Sequence, residues 1–190
     1  NADASKPLSL YFHLPFCESR CWYCGCTTII TRRRDWAYSY LDDLSREIAL
    51  VAARINPNRK VSQLHFGGGT PTFFPPDALK RLGDDIHRHF NFTADAELSV
   101  EIDPRHATQD HVVALRGMGM NRASLGVQDT NAEVQQAIHR VQPNRVNRAT
   151  VARLRSAGIH SINLDLIYGL PKQTPGSVAR TVEDVLDMHP

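Results

Sequence analysis

Four cysteines lie within ten residues of the 190-residue chain, at Cys17, Cys21, Cys24 and Cys26, and the sequence has no others. A disulfide framework spreads its cysteines to close long loops, which a ten-residue segment cannot do. Clustered thiolates on a short loop suit a metal centre, because several sulfur ligands must reach one small volume. The segment therefore predicts a metal site rather than a set of crosslinks.

Three kinds of site use sulfur ligands at such short spacing. A structural zinc ion usually takes two pairs of ligands from separate segments, and the second pair is missing here. A redox pair formed by Cys21 and Cys24 would leave Cys17 and Cys26 without a role. An iron–sulfur cluster held by Cys17, Cys21 and Cys24 would leave one iron of a 4Fe-4S cluster open to a small molecule. The spacing favours the cluster, and Cys26 is left out because ligation two residues after Cys24 would strain the loop.

The composition is that of an ordinary globular protein. The sequence is 42% hydrophobic and 22% charged, with a net charge of +2. That charge is too small to predict nucleic-acid binding. No apolar run is long enough to span a bilayer, and no charged-then-apolar leader opens the sequence. We therefore expect one domain over residues 1–190 in the cytoplasm, where reducing surroundings protect clustered thiolates.

The elements that position these cysteines alternate along the chain. Short apolar segments bounded by turn residues predict strands at Leu8–Leu14, Val61–Phe66, Glu97–Ile102, Arg122–Val127 and Ser161–Ile167. Apolar residues at helical spacing predict helices at Trp36–Arg54, Asp77–Phe90, Gln109–Arg116, Glu133–Ile138 and Arg145–Ala157, and a last helix from near Pro175 to Met188. This α/β repetition predicts a parallel sheet with right-handed crossovers, either doubly wound or part of a (β/α) barrel.

In both architectures the functional residues gather at the carboxyl ends of the strands. The cysteine segment follows the first predicted strand, and Gly67–Pro71 follows the second. The later strands end at Glu101 and Asp103, at Gln128, and at Asp165–Gly169. We therefore expect one site at this edge of the sheet.

The segment Tyr11-Phe-His-Leu-Pro-Phe-Cys17-x3-Cys21-x-Tyr23-Cys24 resembles the signature loop of radical S-adenosylmethionine (SAM) enzymes. In that family the amino and carboxylate groups of SAM occupy the open iron, and the reduced cluster cleaves SAM to a 5′-deoxyadenosyl radical. The resemblance implies a partial, TIM-like (β/α) barrel with a 4Fe-4S cluster and SAM as cofactors. His13, inside this loop, is a candidate for proton transfer or for tuning the cluster.

Two further motifs resemble SAM-binding elements of the family, although each also has a purely structural interpretation. Glycines at Gly67–Gly69 let the backbone approach a ligand, as in the glycine motif that holds the SAM amino group, or they form a tight turn. Glu101 stands between apolar residues at a strand end. It would pair there with a cationic group of SAM or with a neighbouring arginine.

Gln128, Arg140 and Asp165 are the remaining polar candidates. Gln128 and Asp165 suit the hydroxyl groups of a ribose, or else cap the helices that follow them. Arg140 could bind a carboxylate in bidentate fashion, although a lone arginine on a helix is usually a solvated surface residue.

Within this family the chain resembles one branch in particular, and that resemblance covers most of the chain. Five stretches are similar to the oxygen-independent coproporphyrinogen III oxidase branch: Tyr11–Cys26, Val61–Thr72, Ser99–Pro104, Leu125–Asp129 and Ile162–Pro175. The ending Cys24-Gly-Cys26 distinguishes the chain from the related haem-chaperone branch. The resemblance implies decarboxylation of two propionates of coproporphyrinogen III to vinyl groups, giving protoporphyrinogen IX and CO2.

Members of this branch bind two SAM molecules, so the resemblance implies two sets of SAM contacts. The positions that match the cluster-bound SAM are Tyr11, Gly68 and Glu101, and those that match the second SAM are Tyr23, Gly69, Thr70, Gln128, Arg140 and Asp165. Tyr11, His13 and Glu101 are the catalytic candidates, and Cys17, Cys21 and Cys24 are the metal ligands.

Members of the branch are much longer than 190 residues. We therefore expect a barrel truncated after about five βα units, without the C-terminal part of the family architecture. The expected partners are the porphyrinogen substrate and an electron donor such as a flavodoxin or ferredoxin, with the protein a monomer. Two alternatives stay open: a haem-binding chaperone without decarboxylase activity, and a zinc-stabilised binding module.

Overall fold

The computed structural model describes residues 6–190, and strands and helices alternate along them. The strands are β1 (Leu8–Leu14), β2 (Phe16–Cys17), β3 (Ile29–Ile30), β4 (Lys60–Gly68), β5 (Asn91–Ile102), β6 (Arg122–Gln128) and β7 (Ser161–Leu166). The helices are α1 (Asp35–Ala52), α2 (Pro76–His89), α3 (Gln109–Gly117), α4 (Ala132–Ala137), α5 (Asn144–Ser156) and α6 (Pro175–Leu186). None of these helices has the length and hydropathy needed to cross a bilayer.

The strand order decides between the two predicted architectures. The main sheet has the order β1-β4-β5-β6-β7, and every neighbouring pair is parallel. Because the strands follow one another in chain order, right-handed crossovers place the connecting helices on one face. A doubly wound sheet would instead reverse direction at a switch point. The predicted partial (β/α) barrel is confirmed, as an open arc of five strands.

The apolar face of this arc carries the hydrophobic core. Phe66 on β4, Val100 on β5 and Leu125 on β6 are fully buried in one continuous cluster with the helices. The stripe predicted for α1 is buried as well, since Leu41 is fully covered and Ile48 nearly so. The helices are therefore held by one apolar face of the sheet, and the opposite face is free for other side chains.

Most predicted elements are confirmed with boundaries shifted by one or two residues. The largest difference is β5, which begins at Asn91 rather than at Glu97. The two short strands β2 and β3 were not predicted, because two residues carry no periodic signal. They pair Phe16 with Ile29 and Cys17 with Ile30, and so they tie the ends of the cysteine segment together.

Candidate functional site

A cleft of about 160 Å³ lies at the carboxyl edge of the sheet, where the sequence places the site. The predicted site residues that line it are Cys17, Cys21, Tyr23, Cys24, Gly68, Gly69, Thr70, Glu101, Gln128, Arg140 and Asp165. Tyr11 and His13 lie outside this lining, with their rings beside Gly67 and Gly68. Residues on six separate stretches of sequence therefore converge on one volume.

The cysteine segment is fixed in place by backbone hydrogen bonds to two other parts of the chain. Ile29 N donates to Pro15 O at 2.8 Å, which closes the base of the loop. Trp22 N donates to Ile138 O at 3.0 Å, just after α4. The ring Nδ1 of His139 donates to Arg20 O at 2.8 Å. The connection between α4 and α5 thus clamps the loop against the sheet.

All four cysteines are free thiols, and three of them are at least half-buried where they line the cleft. Cys21 is buried, Cys17 and Cys24 are half-buried, and Cys26 is exposed. Within residues 6–190, no three His, Cys, Asp or Glu side chains converge closely enough to hold one metal ion. Cys17, Cys21 and Cys24 all line the cleft, and three sulfur donors from one short loop fit the ligand set of an iron–sulfur cluster with one iron left open.

Burial changes the acidity of the thiol and phenol groups around the cleft. Burial raises the pKa of the Cys17 thiol, although its contact with Thr70 Oγ1 at 3.4 Å acts in the opposite direction. Burial and the neighbouring Cys24 raise the pKa of the Cys26 thiol. Burial also raises the pKa of the Tyr23 phenol, more than the charge of Arg140 lowers it. The base of the cleft is shielded from water, because Cys21, Thr70, Asp103 and Arg140 are buried there, and electrostatic contacts are strengthened in such surroundings.

The glycine segment packs directly against the cysteine segment. Gly69 N donates to Leu14 O, and Thr70 N donates to Phe16 O, both at 2.9 Å. A Cβ at Gly69 would lie 2.6 Å from the carbonyl carbon of Pro15, and Gly68 has a φ of +109°. Both positions therefore need glycine, because of the close approach to the chain at Gly69 and the left-handed backbone at Gly68.

Tyr11 and His13 contact each other beside the glycines, and Glu101 contacts the glycine segment from the adjacent strand. The Tyr11 hydroxyl lies 3.1 Å from His13 Nδ1, and His13 Nε2 lies 2.9 Å from Thr27 O. Because a carbonyl oxygen only accepts, His13 carries its proton on Nε2 and accepts from Tyr11 on Nδ1. Glu101 accepts from Gly68 N and contacts His65 Nε2, both at 3.3 Å. The side chain that contacts Glu101 is thus a histidine and not the arginine of the structural interpretation, and the carboxylate stays accessible.

Gln128 and Asp165 face the cleft and do not cap the helices that follow them. The side chain of Asn131 caps α4, and that of Thr174 caps α6. Gln128 has a φ of +68°, at a register shift where β6 pairs with β7. Non-glycine residues rarely adopt this left-handed backbone conformation, and residues strained in this way are concentrated at functional sites.

Asp165 belongs to a small polar network on the open face of the sheet. Its carboxylate accepts from Ser124 Oγ at 2.8 Å and from Asn163 Nδ2 at 2.6 Å. Asp165 and Asn163 are exposed, and Ser124 is half-buried. The sequence analysis did not identify Ser124 and Asn163. Strand alternation was the available signal, because Ser124 stands two residues before Gly126 and Asn163 two residues before Asp165, on the same face of the sheet.

The interpretation of Arg140 as a solvated surface residue is wrong. It lies in the connection after α4, is 6% exposed, and donates to Asp103 Oδ2 at 2.9 Å and to Gly126 O at 2.7 Å. Arg105 pairs with the same carboxylate at 2.6 Å. The sequence analysis placed Asp103 at the end of a strand but gave it no role. It did not identify Arg105, although Arg105 follows Asp103 by only two residues.

The family comparison agrees with this geometry. The model of the Radical SAM superfamily matches residues 11–185, which is most of the chain. The chain therefore belongs to the radical SAM superfamily, whose cofactors are a 4Fe-4S cluster and SAM. The donor set described above, three sulfurs around one shielded cleft, fits these cofactors.

Several relatives resemble the chain over nearly its whole length. The oxygen-independent coproporphyrinogen III oxidase of Helicobacter pylori is 49% identical over 100% of this chain and 42% of its own length. The enzyme of that name from Escherichia coli is 47% identical over 97% of this chain and 40% of its own. The chain thus spans about two fifths of the length of the curated relatives it matches.

The chain is also similar to solved structures of radical SAM enzymes. The coproporphyrinogen III oxidase from Escherichia coli, described as a radical SAM enzyme, matches with a TM-score of 0.94 and 46% identity, over 99% of this chain and 43% of its own. A radical SAM methyltransferase from Kitasatospora setae matches with a TM-score of 0.66 at 14% identity. The second likeness shows the shared fold alone.

Proposed function

We propose that this chain is the cluster- and SAM-binding core of an oxygen-independent coproporphyrinogen III oxidase. The proposed reaction converts two propionate side chains of coproporphyrinogen III to vinyl groups with loss of CO2, in porphyrin and haem biosynthesis. The observation that carries the proposal is the convergence of six separate stretches on one cleft, in a chain that is 50% identical to a relative of that name. Residues 1–190 would form a radical SAM core domain, an incomplete part of the family architecture.

In this proposal Cys17, Cys21 and Cys24 hold the cluster, and the absence of a fourth ligand from the loop leaves one iron for SAM. When bound, the reduced cluster and SAM supply the one-electron chemistry that begins the reaction. The protein holds the loop rigid through the bonds of Trp22 and Ile29 and encloses it in a shielded cleft. Cys26 lines the same cleft but is exposed.

The two SAM molecules of the proposal have separate contacts. Gly68 and Glu101 would receive the cluster-bound SAM, because the backbone there is open and the Glu101 carboxylate is accessible to a cationic group. Around the second SAM, Gln128 and Asp165 would accept hydrogen bonds from ribose hydroxyls. Arg140 would offer its guanidinium to a carboxylate. Tyr23, Gly69 and Thr70 would complete this second set.

Tyr11 and His13 would act beside the cluster-bound SAM. The Tyr11 hydroxyl donates to His13 Nδ1, and His13 Nε2 donates to Thr27 O. Burial, with the charge of Glu101, raises the pKa of the Tyr11 phenol, which keeps it a hydrogen-bond donor at neutral pH. In the proposal these two hydrogen bonds orient Tyr11 toward the cofactor. A proton moves through His13 only when one of the two bonds breaks.

The remaining parts of the proposal concern the surroundings of the site. The electron donor would be a flavodoxin or a ferredoxin, and the protein would act as a monomer in the cytoplasm. An oxygen-sensitive cluster supports that location because it needs reducing surroundings. Neither a nucleic acid nor a membrane has a part in the proposed reaction.

The test is anaerobic reconstitution followed by measurement of iron, sulfide and bound SAM. We expect about four irons and about two SAM molecules per chain, since a 4Fe-4S cluster is the family cofactor. Cys24→Ser should lose the cluster. Cys26→Ser is the matched control, because it makes the same change two residues later, and it should retain the cluster.

The substrate is tested by CO2 release from coproporphyrinogen III, with the protein that contains this chain. Stoichiometric haem binding without CO2 release would favour a haem chaperone instead. Zinc in place of iron, in a colourless protein, would contradict the cluster and with it the whole proposal.

A further inference from the structure

Cys21 is the most buried cysteine of the loop, and two arginines direct N–H groups at its sulfur. Arg140 Nη1 lies 3.5 Å from Cys21 Sγ, and Arg105 Nη2 lies 3.8 Å from it. Both distances are within the range of hydrogen bonds to sulfur. The other two proposed ligands have no such arginine contact among the described residues.

Asp103 holds both arginines in this arrangement. It accepts from Arg105 Nε at 3.0 Å and Nη2 at 2.6 Å, and from Arg140 Nη1 at 2.9 Å. The side chains of Asp103 and Arg140 are each 8% exposed, and that of Arg105 is 17% exposed. The three groups together carry one positive charge, held against a sulfur in a shielded volume.

These charges are stable at neutral pH. The guanidinium groups of Arg105 and Arg140 stay protonated in proteins, and the Asp103 carboxylate is ion-paired with both of them at 2.6 and 2.9 Å. The positive charge beside Cys21 is therefore permanent.

A permanent charge and an N–H donor beside a ligand sulfur favour one redox state. One-electron reduction of a cluster adds negative charge, part of which resides on the ligand sulfurs. Hydrogen bonds to those sulfurs and nearby positive charge stabilise the more negative, reduced state. In a shielded site this stabilisation is larger than it would be in water.

We propose that Arg105, oriented by Asp103, is a positioning residue that donates a hydrogen bond to the Cys21 sulfur and raises the reduction potential of the cluster. The inference deepens the proposed function and rests on its assignment of Cys21 as a ligand. When bound, the cluster would accept one electron from an external low-potential donor, and Arg105 would stabilise the added negative charge beside Cys21. No bond to Cys21 breaks, and no proton is transferred. Arg105 is not one of the residues proposed to hold SAM.

The test is a redox titration of the reconstituted protein without SAM, in which the reduced cluster is followed by electron paramagnetic resonance. In Arg105→Gln the ratio of reduced to oxidised cluster at a fixed potential should fall about tenfold, which is about 59 mV in midpoint potential. Arg153→Gln is the matched control. Arg153 carries the same charge and lines a second surface depression together with Arg105, but it donates to Ala107 O at 3.1 Å and does not contact Cys21. In Arg153→Gln the ratio of reduced to oxidised cluster at the same fixed potential should change less than about twofold, because solvent screens a charge that does not contact Cys21.

Arg105→Lys is the second variant, because it keeps the charge but loses the planar fork that bridges Asp103 and Cys21. Its potential should be lower than that of the unmodified protein and higher than that of Arg105→Gln. If Arg105→Gln fails to hold a cluster, Arg105→Lys decides: a lower potential supports the proposal, and an unchanged one overturns it.

The proposed function and the role of Arg105 are contradicted by different results. An unmodified protein that assembles no iron–sulfur cluster contradicts the proposed function. A protein that assembles the cluster, with the same midpoint in Arg105→Gln as in the unmodified chain, overturns only the role of Arg105. A shift of equal size in Arg153→Gln would also overturn it, because the effect would then be one of net charge.

Discussion

The two faces of the central sheet are built from neighbouring residues of the same strands, yet they differ completely. On β4, Phe66 is fully buried against the helices, whereas His65 is half-buried and faces Tyr11 and Glu101. On β5, Val100 is fully buried and Glu101 is exposed. The strand alternation thus assigns one face to packing and the other to polar side chains.

That difference separates stability from ligand binding. Strands of parallel sheets are usually covered on both faces and are apolar throughout. Here the second face carries side chains that can hydrogen-bond, among them His65, Ser124 and Asp165. Since the helices pack on the other side, substitutions on the polar face should change binding while leaving most of the folding energy intact.

The largest effect is expected from truncation of Phe66 on the apolar face. Phe66 packs edge-on against Phe12, with ring centroids 5.5 Å apart. Phe66→Ala should lower the free energy of unfolding by about 3–5 kcal/mol, because it leaves a cavity in a close-packed core. Urea denaturation measures this loss.

His65→Ala is the matched control for that experiment, because it changes the next residue on the same strand. His65 bonds to Ser99 Oγ at 2.7 Å and contacts Glu101. Its removal should cost about 1 kcal/mol, the typical net value of a hydrogen bond. Equal losses in the two variants would contradict the division between the faces.

Asp103 is where the division breaks down, because a charged residue of the site is buried like a core residue. Asp103→Asn should lower the free energy of unfolding at pH 7 by about 3 kcal/mol, since the buried Arg140 and the half-buried Arg105 lose their counter-charge. Asp84→Asn is the control. Asp84 forms an exposed pair with Lys80 at 3.1 Å, and its loss should cost less than about 1 kcal/mol.

The effect of Asp103 depends on pH in a defined direction. The pKa of its carboxyl is lowered in the folded protein, so folding favours the ionised form. Its contribution is complete above the unfolded pKa of about 3.9 and is lost as the pH falls through the folded value. Unfolding curves of the unmodified protein and Asp103→Asn should therefore differ most above about pH 5 and converge in stronger acid. A difference that stays constant down to pH 2 would contradict this linkage.

The sequence predicted the main sheet, the helices and the edge that bears the site, because hydrophobic periodicity and strand ends record them directly. It did not predict β2 and β3, whose pairing is set by the cysteine loop rather than by a pattern. It also missed the pairing of Arg105 and Arg140 with Asp103, because side chains distant in sequence meet only once the strands are in register. Glu101 was recognised, but its histidine partner on the adjacent strand was not.

Gly69 tests how closely the two motifs of the site depend on each other. In Gly69→Ala the new Cβ would lie 2.6–2.7 Å from backbone atoms of Pro15 and Phe16. Backbone cannot move aside as a flexible side chain can, so the variant should lose about 1–3 kcal/mol of stability. The displaced cysteine loop should also bind less iron on reconstitution.

Gly25→Ala is the control for Gly69, because it adds the same methyl group within the cysteine loop. A Cβ at Gly25 would meet no atom within 4 Å. Its stability and iron content should therefore match those of the unmodified protein, with a stability change within about 0.5 kcal/mol. Equal iron loss in both variants would show that the loop tolerates no substitution, whatever the packing.

The smallest change in stability, with a clear change in binding, is expected at Asp165 on the polar face. Asp165→Asn keeps the shape of a side chain that is exposed and bonded to Ser124 and Asn163, so the free energy of unfolding should change by less than about 0.5 kcal/mol. The amide has one acceptor oxygen instead of two, so SAM binding, measured by equilibrium dialysis of the reconstituted protein, should weaken about tenfold, the loss of roughly one charged hydrogen bond. Asp187→Asn, in an exposed pair with Arg148 away from the cleft, should alter neither quantity. Unchanged SAM binding in Asp165→Asn would remove Asp165 from the proposed second SAM site, whereas a loss of stability above about 1 kcal/mol would mean that the polar face also supports the fold.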